Sequence, residues 1–478
     1  MPDPFVHLHV ASGYSRQYGA SHPQVLVERA VEQEMDTLAL TDRDGTYGAV
    51  KHALACRSAG IRPVLGVDLA YAPPGWSPAT TRAPVRGGAF RDPSPERGGL
   101  PRVTMLAHVG GPGGGRGGWA AICRLVSAIH LVGERGNPVA DLDLIAPFLA
   151  SGDVVVLLGP GSLVGTAATL RRDDLARAAL APWRDLVPTG NLLVELVSHR
   201  RGRLPGGDWG PGTSAHAARM AGIARQAGLG TVLSNAVRYA DQLDAPTVDV
   251  LDAARRLVPL DQRHLDRSNA EGFLKSGKQM HEVAEEIGRL AGLGHLEADQ
   301  LLARTRTVAD RCALDPRADL GLGEVHFPEF SVGDGDADGA LRARCEGAIG
   351  DRYGSAPRQR IQKRLDDELQ TIAQLGYASY FLTVGDVTDL IREMRVRCAA
   401  RGSGAGSLVN YLLGVSGVDP IRHGLLMERF LSPLRQALPD IDVDVESARR
   451  LEVYEAILDR YGGERCVCVS MMDTYRVR

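Results

Sequence analysis

The sequence predicts an α/β protein in which a seven-stranded (β/α) barrel is followed by a second domain built around one acidic strand. Two observations carry this prediction. Short apolar runs alternate with helical segments through residues 5–240, which is typical of strands joined by helices. Near the end of the chain, Ile441 and Val443 alternate with Asp440, Asp442 and Asp444, and a period of two indicates a strand.

The first half of the chain contains seven predicted strands. They are residues 5–10, 37–41, 62–71, 103–108, 153–158, 191–197 and 230–235. Helical spacing of apolar residues separates them, for example over residues 119–131 and 214–226. Seven strands in this alternation favour a closed parallel barrel over an open sheet.

Composition and charge exclude some classes of function. The 478 residues include 55 Lys and Arg against 58 Asp and Glu, so the formal net charge is −3. No overall basic excess indicates nucleic-acid binding, and any such site must be local. The seven cysteines form no Cys-x-x-Cys pair, and neither a signal peptide nor an apolar run of about 18 residues occurs. We therefore expect a reduced, cytoplasmic protein without a membrane segment.

A histidine pair marks the first strand. His7 and His9 are two residues apart, so both side chains project from one face of the strand. Chemistry in such barrels lies at the C-terminal ends of the strands. There the two imidazoles could serve as metal ligands, or they could be hydrogen-bonded side chains in a polar barrel mouth. The residues alone leave both interpretations open.

The second half predicts long helices followed by a glycine-rich turn. Helices are expected over residues 357–375 and 380–394, and the turn at 401–407 leads into an apolar helix at 408–413. A glycine-rich turn at a helix N-terminus presents backbone N–H groups and suits phosphate. Gly402 and Ser403 are therefore candidate phosphate ligands. Arg429 is a candidate cation for the same site, the alternative being a surface ion pair with Glu428.

The acidic strand predicts a metal site. On a strand, Asp440, Asp442 and Asp444 fall on one face, successive carboxylates being about 6.5–7 Å apart. Three like charges repel one another and favour a cation between them. Two Mg²⁺ ions about 3.5–4 Å apart, held by shared aspartates, are a common arrangement for phosphoryl transfer. The alternative is an exposed edge strand that carries charge against aggregation.

The first half also carries motifs of a known family. His7-x-His9, Thr41-Asp42 and a Gly-x-acid motif that ends at Asp68 occur in that order. On these motifs, residues 5–240 resemble the polymerase and histidinol phosphatase (PHP) domain. The resemblance implies a distorted barrel with a trinuclear metal cluster in its mouth and phosphoesterase activity.

Several ligands of that cluster are replaced. Tyr18 stands in place of an Asp, Arg43 and Arg102 in place of His residues, and Arg238 at the end of a motif that has lost both its Asp and its His. Asp68 stands in place of a Glu. Too few ligands remain for the cluster, so we expect no metal and no nuclease activity in the PHP domain.

The second half carries a more specific constellation. Its parts are Gly402-Ser403, Val418-Asp419-Pro420, Met427-Glu428-Arg429-Phe430 and Pro439-Asp440-Ile441-Asp442. The constellation resembles the α subunits of bacterial DNA polymerase III, whose palm is a polymerase-β-like nucleotidyltransferase. The resemblance implies that Asp440 and Asp442 are catalytic and bind Mg²⁺. It also implies that Gly402 and Ser403 hold the triphosphate, assisted by Arg429 and Arg401.

The same resemblance implies a domain order. We expect a PHP-like barrel over residues 1–285, an incomplete palm over 286–450 and the start of a thumb over 451–478. The segment 445–450 resembles the error-prone paralogues. Family members continue with a third aspartate, fingers and a clamp-binding region, so we expect this chain alone to be inactive in primer extension.

The implied activity is DNA-directed DNA polymerisation. Its partners would be primer–template DNA, deoxynucleoside triphosphates (dNTPs) and other replisome or translesion subunits, with the sliding-clamp contact outside this chain. Two rival hypotheses are a PHP phosphoesterase or 3′–5′ exonuclease and a non-catalytic scaffold.

The arginines at the former ligand positions prompt a further hypothesis. Guanidinium groups stay protonated and cannot ligate a metal. We expect them to lower the imidazole pKa values of His7 and His9 and to need counter-charges. The hypothesis is an Arg–Asp network that closes the barrel mouth as a support for the palm, built from Arg43, Arg102, Arg238, Asp42, Asp44 and Asp68. The alternative is that the arginines bind a phosphate or a DNA backbone.

Overall fold

The computed structural model describes residues 5–73, 100–132, 138–202, 210–261, 264–265, 267–292, 296–332, 335–355, 358–432, 439–462 and 465–469. The chain divides into two compact units, Met1–Glu324 and Val325–Arg478. This division differs from the 285/286 boundary expected from the sequence, because two helices between residues 277 and 312 pack within the first unit.

The first unit alternates strands and helices. Its strands are β1 Thr37–Arg43, β2 Arg62–Ala70, β3 Arg102–Ala107, β4 Val154–Leu158, β5 Leu192–Val197 and β6 Gly230–Ser234. Its helices are α1 Pro23–Glu32, α2 Ala49–Ala59, α3 Gly114–Val132, α4 Leu142–Leu149, α5 Leu163–Leu170, α6 Asp173–Leu186, α7 Ser214–Ala227, α8 Ala245–Arg256, α9 Gly277–Leu290 and α10 Leu296–Cys312. Six of the seven predicted strands are confirmed as regular strands.

The six strands form one sheet in the order β1-β2-β3-β4-β5-β6. The expectation of an all-parallel sheet is wrong for β3, which runs antiparallel to both β2 and β4. A strand that is buried on both faces has the same apolar pattern in either direction, so periodicity does not reveal its polarity. The reversal places the first residue of β3, Arg102, opposite Ala70 at the end of β2.

The predicted first strand forms a bridging segment instead of a regular strand. Its carbonyls accept hydrogen bonds from β1 at His7 and Val10, where Ala39 and Thr41 donate. On its other side, Val237 donates to the carbonyl of His9 and accepts from the N–H of Ala11. Because β1 and β6 are the two edges of the sheet, this segment bridges β1 and the chain just after β6. The division of its backbone bonds between two neighbours explains why no regular ladder forms.

The strands bury apolar side chains on both faces. One face packs against the surrounding helices, and the other forms an inner cluster that includes Leu8, Val64 and Val232. Helix α10 adds Val308, Ala309 and Cys312 to that inner cluster. The chain after α10 hydrogen-bonds to Pro63, at the start of β2. The helix therefore closes the end of the barrel opposite to the C-terminal ends of β1 and β2, and the polar residues at those ends form the mouth.

The second unit combines helices with a small sheet. Its helices are α11 Ala337–Tyr353, α12 Arg358–Leu375, α13 Ala378–Glu393, α14 Leu408–Leu412 and α15 Arg450–Tyr461. Strands β7 Cys398–Arg401 and β8 Asp442–Val445 pair antiparallel. Side chains of α12, α13, α14 and the segment around Phe430 share one apolar core. Within the described residues, no helix combines the length and apolarity that crossing a bilayer would require.

Candidate functional site

The acidic strand presents its carboxylates on one side of the β7–β8 pair. Ile441 and Val443 pack on the core of the second unit, whereas Asp440 and Asp444 are exposed. Asp442 lies opposite Arg401 in the β7–β8 register. The predicted alternation is therefore confirmed over 442–445, and Asp440 lies just before the regular strand.

The glycine-rich turn lies beside this strand. It forms a 3₁₀ turn over Gly402–Gly406, and Gly402 has a φ of +69°. A Cβ atom at position 402 would lie 3.8 Å from Oδ2 of Asp442, so the turn and the carboxylate are close neighbours. Gly402 and Ser403 are exposed. The structure thus brings together the turn and one of the two predicted catalytic aspartates.

Arg401 pairs with the acidic strand. Its Nη1 lies 3.4 Å from Oδ2 of Asp442, and its Nε lies 3.1 Å from Oδ1 of Asp444. All three side chains are well exposed to solvent, so these pairs are weak. Arg401 therefore serves as a counter-ion of the strand here, in addition to its predicted role towards the triphosphate. Arg429 is exposed in the 3₁₀ turn Met427–Arg429, which packs against the glycine-rich turn.

The helix N-terminus behind the turn holds a carboxylate from the protein itself. The N–H groups of Leu408 and Val409 donate to Glu368 at 3.0 and 3.1 Å, and the Ser407 hydroxyl donates at 3.0 Å. Glu368 therefore occupies the first N–H groups of this helix. Only the exposed part of the turn, Gly402 and Ser403, remains available to a ligand.

Glu368 is also tied to Arg364, one helical turn earlier on α12. Arg364 Nε donates to Glu368 at 2.7 Å, and its Nη2 donates to the carbonyls of Gly406 and Leu425 at 3.3 Å each. Burial raises the pKa of Glu368, although the N–H groups and the charge of Arg364 act against the rise. Sequence reasoning assigned this pair no role. The four-residue spacing that places both side chains on one helix face was the available signal.

Tyr380 is a second residue that sequence reasoning missed at this site. Its hydroxyl accepts a hydrogen bond of 2.9 Å from the N–H of Ile441. Burial raises the pKa of Tyr380, and the charges of Asp440 and Asp442 raise it further. The hydroxyl therefore lies within electrostatic reach of both carboxylates and anchors the backbone between them.

The donor set of this site fits Mg²⁺ held jointly with a substrate. Within the described ranges, no group of three or more His, Cys, Asp or Glu residues is placed to hold a metal ion. Mg²⁺ in nucleotide sites, however, uses one or two carboxylates together with phosphate oxygens and water. Asp440 and Asp442 are accessible and lie on one side of the strand, so they supply two such carboxylates.

A second cluster of charged residues occupies the barrel mouth. Asp68 is buried and lies within 3.0 Å of Nε of Arg102 and 3.3 Å of Nε of Arg43. Arg102 also reaches Asp44 at 2.9 Å and the carbonyl of Asp68 at 2.7 Å. Burial would raise the pKa of Asp68, but the charges of Arg102 and Arg43 outweigh it and lower the pKa. The two arginines thus take the carboxylate that would otherwise be open to a metal.

Tyr18 packs between two of the arginines. The guanidinium carbon of Arg43 lies 3.3 Å from the ring centroid, and that of Arg238 lies 4.0 Å from it. Stacking of guanidinium on an aromatic face is favourable. Arg238 pairs with Asp252 at 2.6 Å, and this carboxylate was not among the predicted counter-charges.

The two histidines have different environments. His9 Nδ1 lies 2.9 Å from Glu195, and its Nε2 lies 4.0 Å from Asp68. Burial lowers the pKa of His9, but Glu195 and Asp68 outweigh it and the pKa is raised. Burial lowers the pKa of His7 to about 4, and its Nε2 lies 2.8 Å from the carbonyl of Lys275. The expectation that the arginines would lower both pKa values is therefore wrong for His9, where Glu195 and Asp68 outweigh Arg43. For His7 the lowering comes from burial and the charge of Lys275.

Asp42 does not join the predicted network. Its carboxylate accepts hydrogen bonds from the backbone and side chain of Ser12 and from the Ser15 hydroxyl. Burial raises its pKa to about 6 against those bonds. Asp44 and Asp68 do supply counter-charge as predicted, whereas Glu195 and Asp252 were missed, and the stacking of Arg43 and Arg238 on Tyr18 was not predicted. A carboxylate within the otherwise apolar strand β5 was the sequence signal for Glu195.

The mouth does not fit a trinuclear metal cluster. His9 is engaged by Glu195, Asp68 by two arginines, and His7 by a backbone carbonyl. In the described part of the barrel, no three potential ligands are grouped to hold a metal.

Comparisons with known proteins match both halves of the chain. Residues 7–199 match the family model described as PHP domain, and residues 339–478 match that of the bacterial DNA polymerase III alpha NTPase domain. An error-prone DNA polymerase of Mycolicibacterium paratuberculosis is 34% identical over 99% of this chain, which covers 39% of that protein. An error-prone DNA polymerase of Cutibacterium acnes is 33% identical over 99% of this chain, which covers 38% of that protein.

A relative with a different name is matched as well. The DNA polymerase III subunit alpha of Saccharopolyspora erythraea is 29% identical over 97% of this chain, which covers 37% of that protein. The chain therefore spans about two fifths of the length of the curated relatives it matches.

Proposed function

We propose that this chain, which combines a PHP domain with a region of the bacterial DNA polymerase III alpha family, contributes the nucleotide-binding part of a DNA-directed DNA polymerase. The reaction is attack of a primer 3′-hydroxyl on the α-phosphate of a dNTP. The observation that carries the proposal is the juxtaposition of Gly402 with Asp442 across the end of the β7–β8 pair.

The roles of the residues follow from their positions. Asp440 and Asp442 would bind Mg²⁺, which neutralises phosphate charge and activates a hydroxyl when bound. Gly402 and Ser403 offer exposed backbone and hydroxyl groups to the triphosphate. Tyr380 fixes the backbone of Ile441, and with it the spacing of the two carboxylates. The contribution of the protein is positioning and charge neutralisation.

Two arginines complete the proposed triphosphate site. Arg429 lies on the 3₁₀ turn that packs on the glycine-rich turn and would contact the triphosphate from there. Arg401 now pairs with Asp442 and Asp444, and it would turn to the triphosphate when Asp442 binds a cation. Arginine suits this part because its planar fork binds phosphate oxygens in pairs.

The error-prone class is favoured over the replicative one. The error-prone relatives quoted above are 33–34% identical to this chain, whereas the DNA polymerase III subunit alpha is 29% identical. The proposed partners are primer–template DNA, dNTPs and translesion or replisome subunits, with the clamp contact outside this chain. The proposed location is the cytoplasm. The end of the palm at residue 450 and the start of the thumb over 451–478 also remain proposals, and residues 470–478 lie outside the described residues.

The test is primer extension by the natural full-length protein. We expect Asp440→Asn and Asp442→Asn each to abolish incorporation while thermal unfolding stays unchanged, because both carboxylates are accessible and carry no core contact. A matched control is Asp444→Asn, on the same face but outside the proposed metal pair, which should retain activity. Near-normal incorporation by Asp440→Asn would refute the assignment. Residues 1–478 alone should bind dNTP weakly and extend no primer.

A further inference from the structure

The barrel mouth contains a cleft of about 220 Å³ that is rich in arginine. Among the described residues that line it are six arginines and two carboxylates. The arginines are Arg43, Arg102, Arg201, Arg238, Arg255 and Arg267. The two carboxylates are Asp68 and Glu195, and Glu195 is engaged by His9 and Ser234.

Three further carboxylates pair with these arginines. Asp44 pairs with Arg102, Asp249 with Arg267, and Asp252 with both Arg238 and Arg255. Among its described residues, the cleft is therefore lined by more arginines than carboxylates, in a chain whose net charge is −3.

The arginines are held close together despite their like charge. Tyr18 holds the guanidinium groups of Arg43 and Arg238 on one aromatic ring. Burial and the charges of Arg102 and Arg255 lower the pKa of Arg43, although Tyr18 and Asp68 oppose this. Crowded guanidinium groups in a partly buried cleft are stabilised by an anion placed between them.

A buried donor in the described part of the cleft lacks a hydrogen-bond partner. The Arg102 side chain is 5% exposed, and within the described residues its Nη1 has no hydrogen-bond partner. A buried donor left without an acceptor costs free energy. An anion with several oxygens can supply that acceptor while it contacts neighbouring arginines.

We propose that this cleft binds a phosphate group without metal and without hydrolysing it. Phosphate offers oxygens in several directions, which suits guanidinium forks that approach from different strands. The volume accommodates a phosphate group with an attached sugar, so its source is either free phosphate or a nucleotide. This binding site is separate from the proposed polymerase site and does not depend on it.

The wall of the cleft offers a matched pair of test variants. A Cβ atom at Gly161 would have Cβ of Arg102 as its nearest neighbour, at 3.8 Å, which is ordinary contact distance. Gly161→Ala should therefore fit without strain. Gly161→Asp places a carboxylate in the same position, where it competes for the arginines as an internal anion.

The experiment is calorimetric titration of the whole chain with inorganic phosphate and, separately, with a deoxynucleoside monophosphate. We expect saturable binding at a single site that weakens as salt rises. Arg43→Gln and Arg201→Gln should each weaken it about tenfold or more, since each loses a charge-assisted contact. Gly161→Asp should abolish binding, whereas Gly161→Ala and the surface variant Arg172→Gln should bind like wild type. Thermal unfolding without ligand confirms that each variant is folded.

The outcomes separate the sources and can overturn the proposal. Tighter binding of the monophosphate assigns the site to a nucleotide, and equal affinity assigns it to the phosphate group alone. The proposal fails if neither ligand binds at millimolar concentration. It also fails if Gly161→Asp binds as well as Gly161→Ala, or if hydrolysis of the monophosphate accompanies binding.

Discussion

Arginine in place of a metal ligand changes what a buried carboxylate can do. Asp68 retains its position at the end of β2, but Arg43 and Arg102 satisfy it at 3.3 and 3.0 Å. A guanidinium group stays protonated at any physiological pH. The charge that a metal would have supplied is therefore built into the side chains, and the pair is costly to break because it is desolvated.

Metal content tests this replacement. We expect protein purified without chelator to hold no stoichiometric metal in the mouth and to show no exonuclease activity with added Mn²⁺ or Zn²⁺. Elemental analysis and a nuclease assay provide the measurements, with His9→Ala as the matched variant. Stoichiometric metal, together with nuclease activity that His9→Ala removes, would contradict the prediction.

The burial of His7 predicts that the stability of the fold depends on pH. Burial lowers its pKa from 6.5 to about 4, so the unfolded chain takes up the proton first as pH falls through that range. The stability contributed by neutral His7 is therefore full above pH 6.5 and is lost on acidification towards pH 4. His52 and His199, also lowered to about 4, act in the same direction.

The measurement is the thermal midpoint at about pH 7.5 and about pH 5. We expect His7→Gln, which keeps a donor for the carbonyl of Lys275, to lose less stability on acidification than wild type. His22→Gln, at the exposed start of α1, should behave like wild type. An equal loss in His7→Gln and wild type would show that His7 does not titrate as inferred.

At the scale of elements, α12 holds the glycine-rich turn in place. Glu368 and Arg364, one turn apart on that helix, bind the start of α14, the carbonyl of Gly406 and that of Leu425. A turn with little side-chain bulk would otherwise have many conformations. The contacts from α12 restrict the turn before any ligand binds, so the exposed residues Gly402 and Ser403 are already positioned.

Glu368→Ala tests the importance of this anchor. We expect it to lower the free energy of unfolding of the second unit by about 3 kcal/mol, because a buried and hydrogen-bonded charge partner is lost. It should also weaken dNTP binding. Urea unfolding and a fluorescent-nucleotide titration provide the measurements. Asp366→Ala, on the same helix in an exposed ion pair with Arg342, is the control and should change neither. Unchanged dNTP affinity in Glu368→Ala would show that Glu368 does not contribute to nucleotide binding.

At the scale of the whole molecule, the first unit depends on α10. Thr305 accepts the N–H of Leu233 in β6, and Val308, Ala309 and Cys312 pack into the inner cluster. Arg311 donates to the side chains of His108 and Asn191. The barrel is therefore incomplete without residues beyond the 285 boundary that the sequence suggested.

Two fragments make this dependence measurable. We expect residues 1–324 expressed alone to unfold in one cooperative thermal transition, because both apolar clusters of the barrel are then complete. Residues 1–285 should show no cooperative transition or aggregate, since removal of α10 exposes the inner cluster. Circular dichroism with heating distinguishes the two. Equal stability of both fragments would show that α10 is dispensable.

The sequence by itself determined the local features. The periods of apolar residues located six of the seven predicted strands and helices α12, α13 and α14 of the second unit, whereas α11 and α15 were not predicted. Side-chain spacing depends only on backbone geometry, so such periods can be recognised in the sequence. The alternation around Asp442 was likewise readable along the chain. So were Tyr18, Arg43, Arg102 and Arg238, which stand where the resemblance expects metal ligands.

Only the tertiary structure decided what depends on which distant groups meet. The direction of β3, the occupation of a helix N-terminus by Glu368 and the raised pKa of His9 beside Glu195 all arise from residues far apart in sequence. Hydrogen bonds and charge interactions act over a few ångströms of space. A charged residue in the sequence indicates that a counter-charge is needed. The tertiary fold determines which residue supplies it.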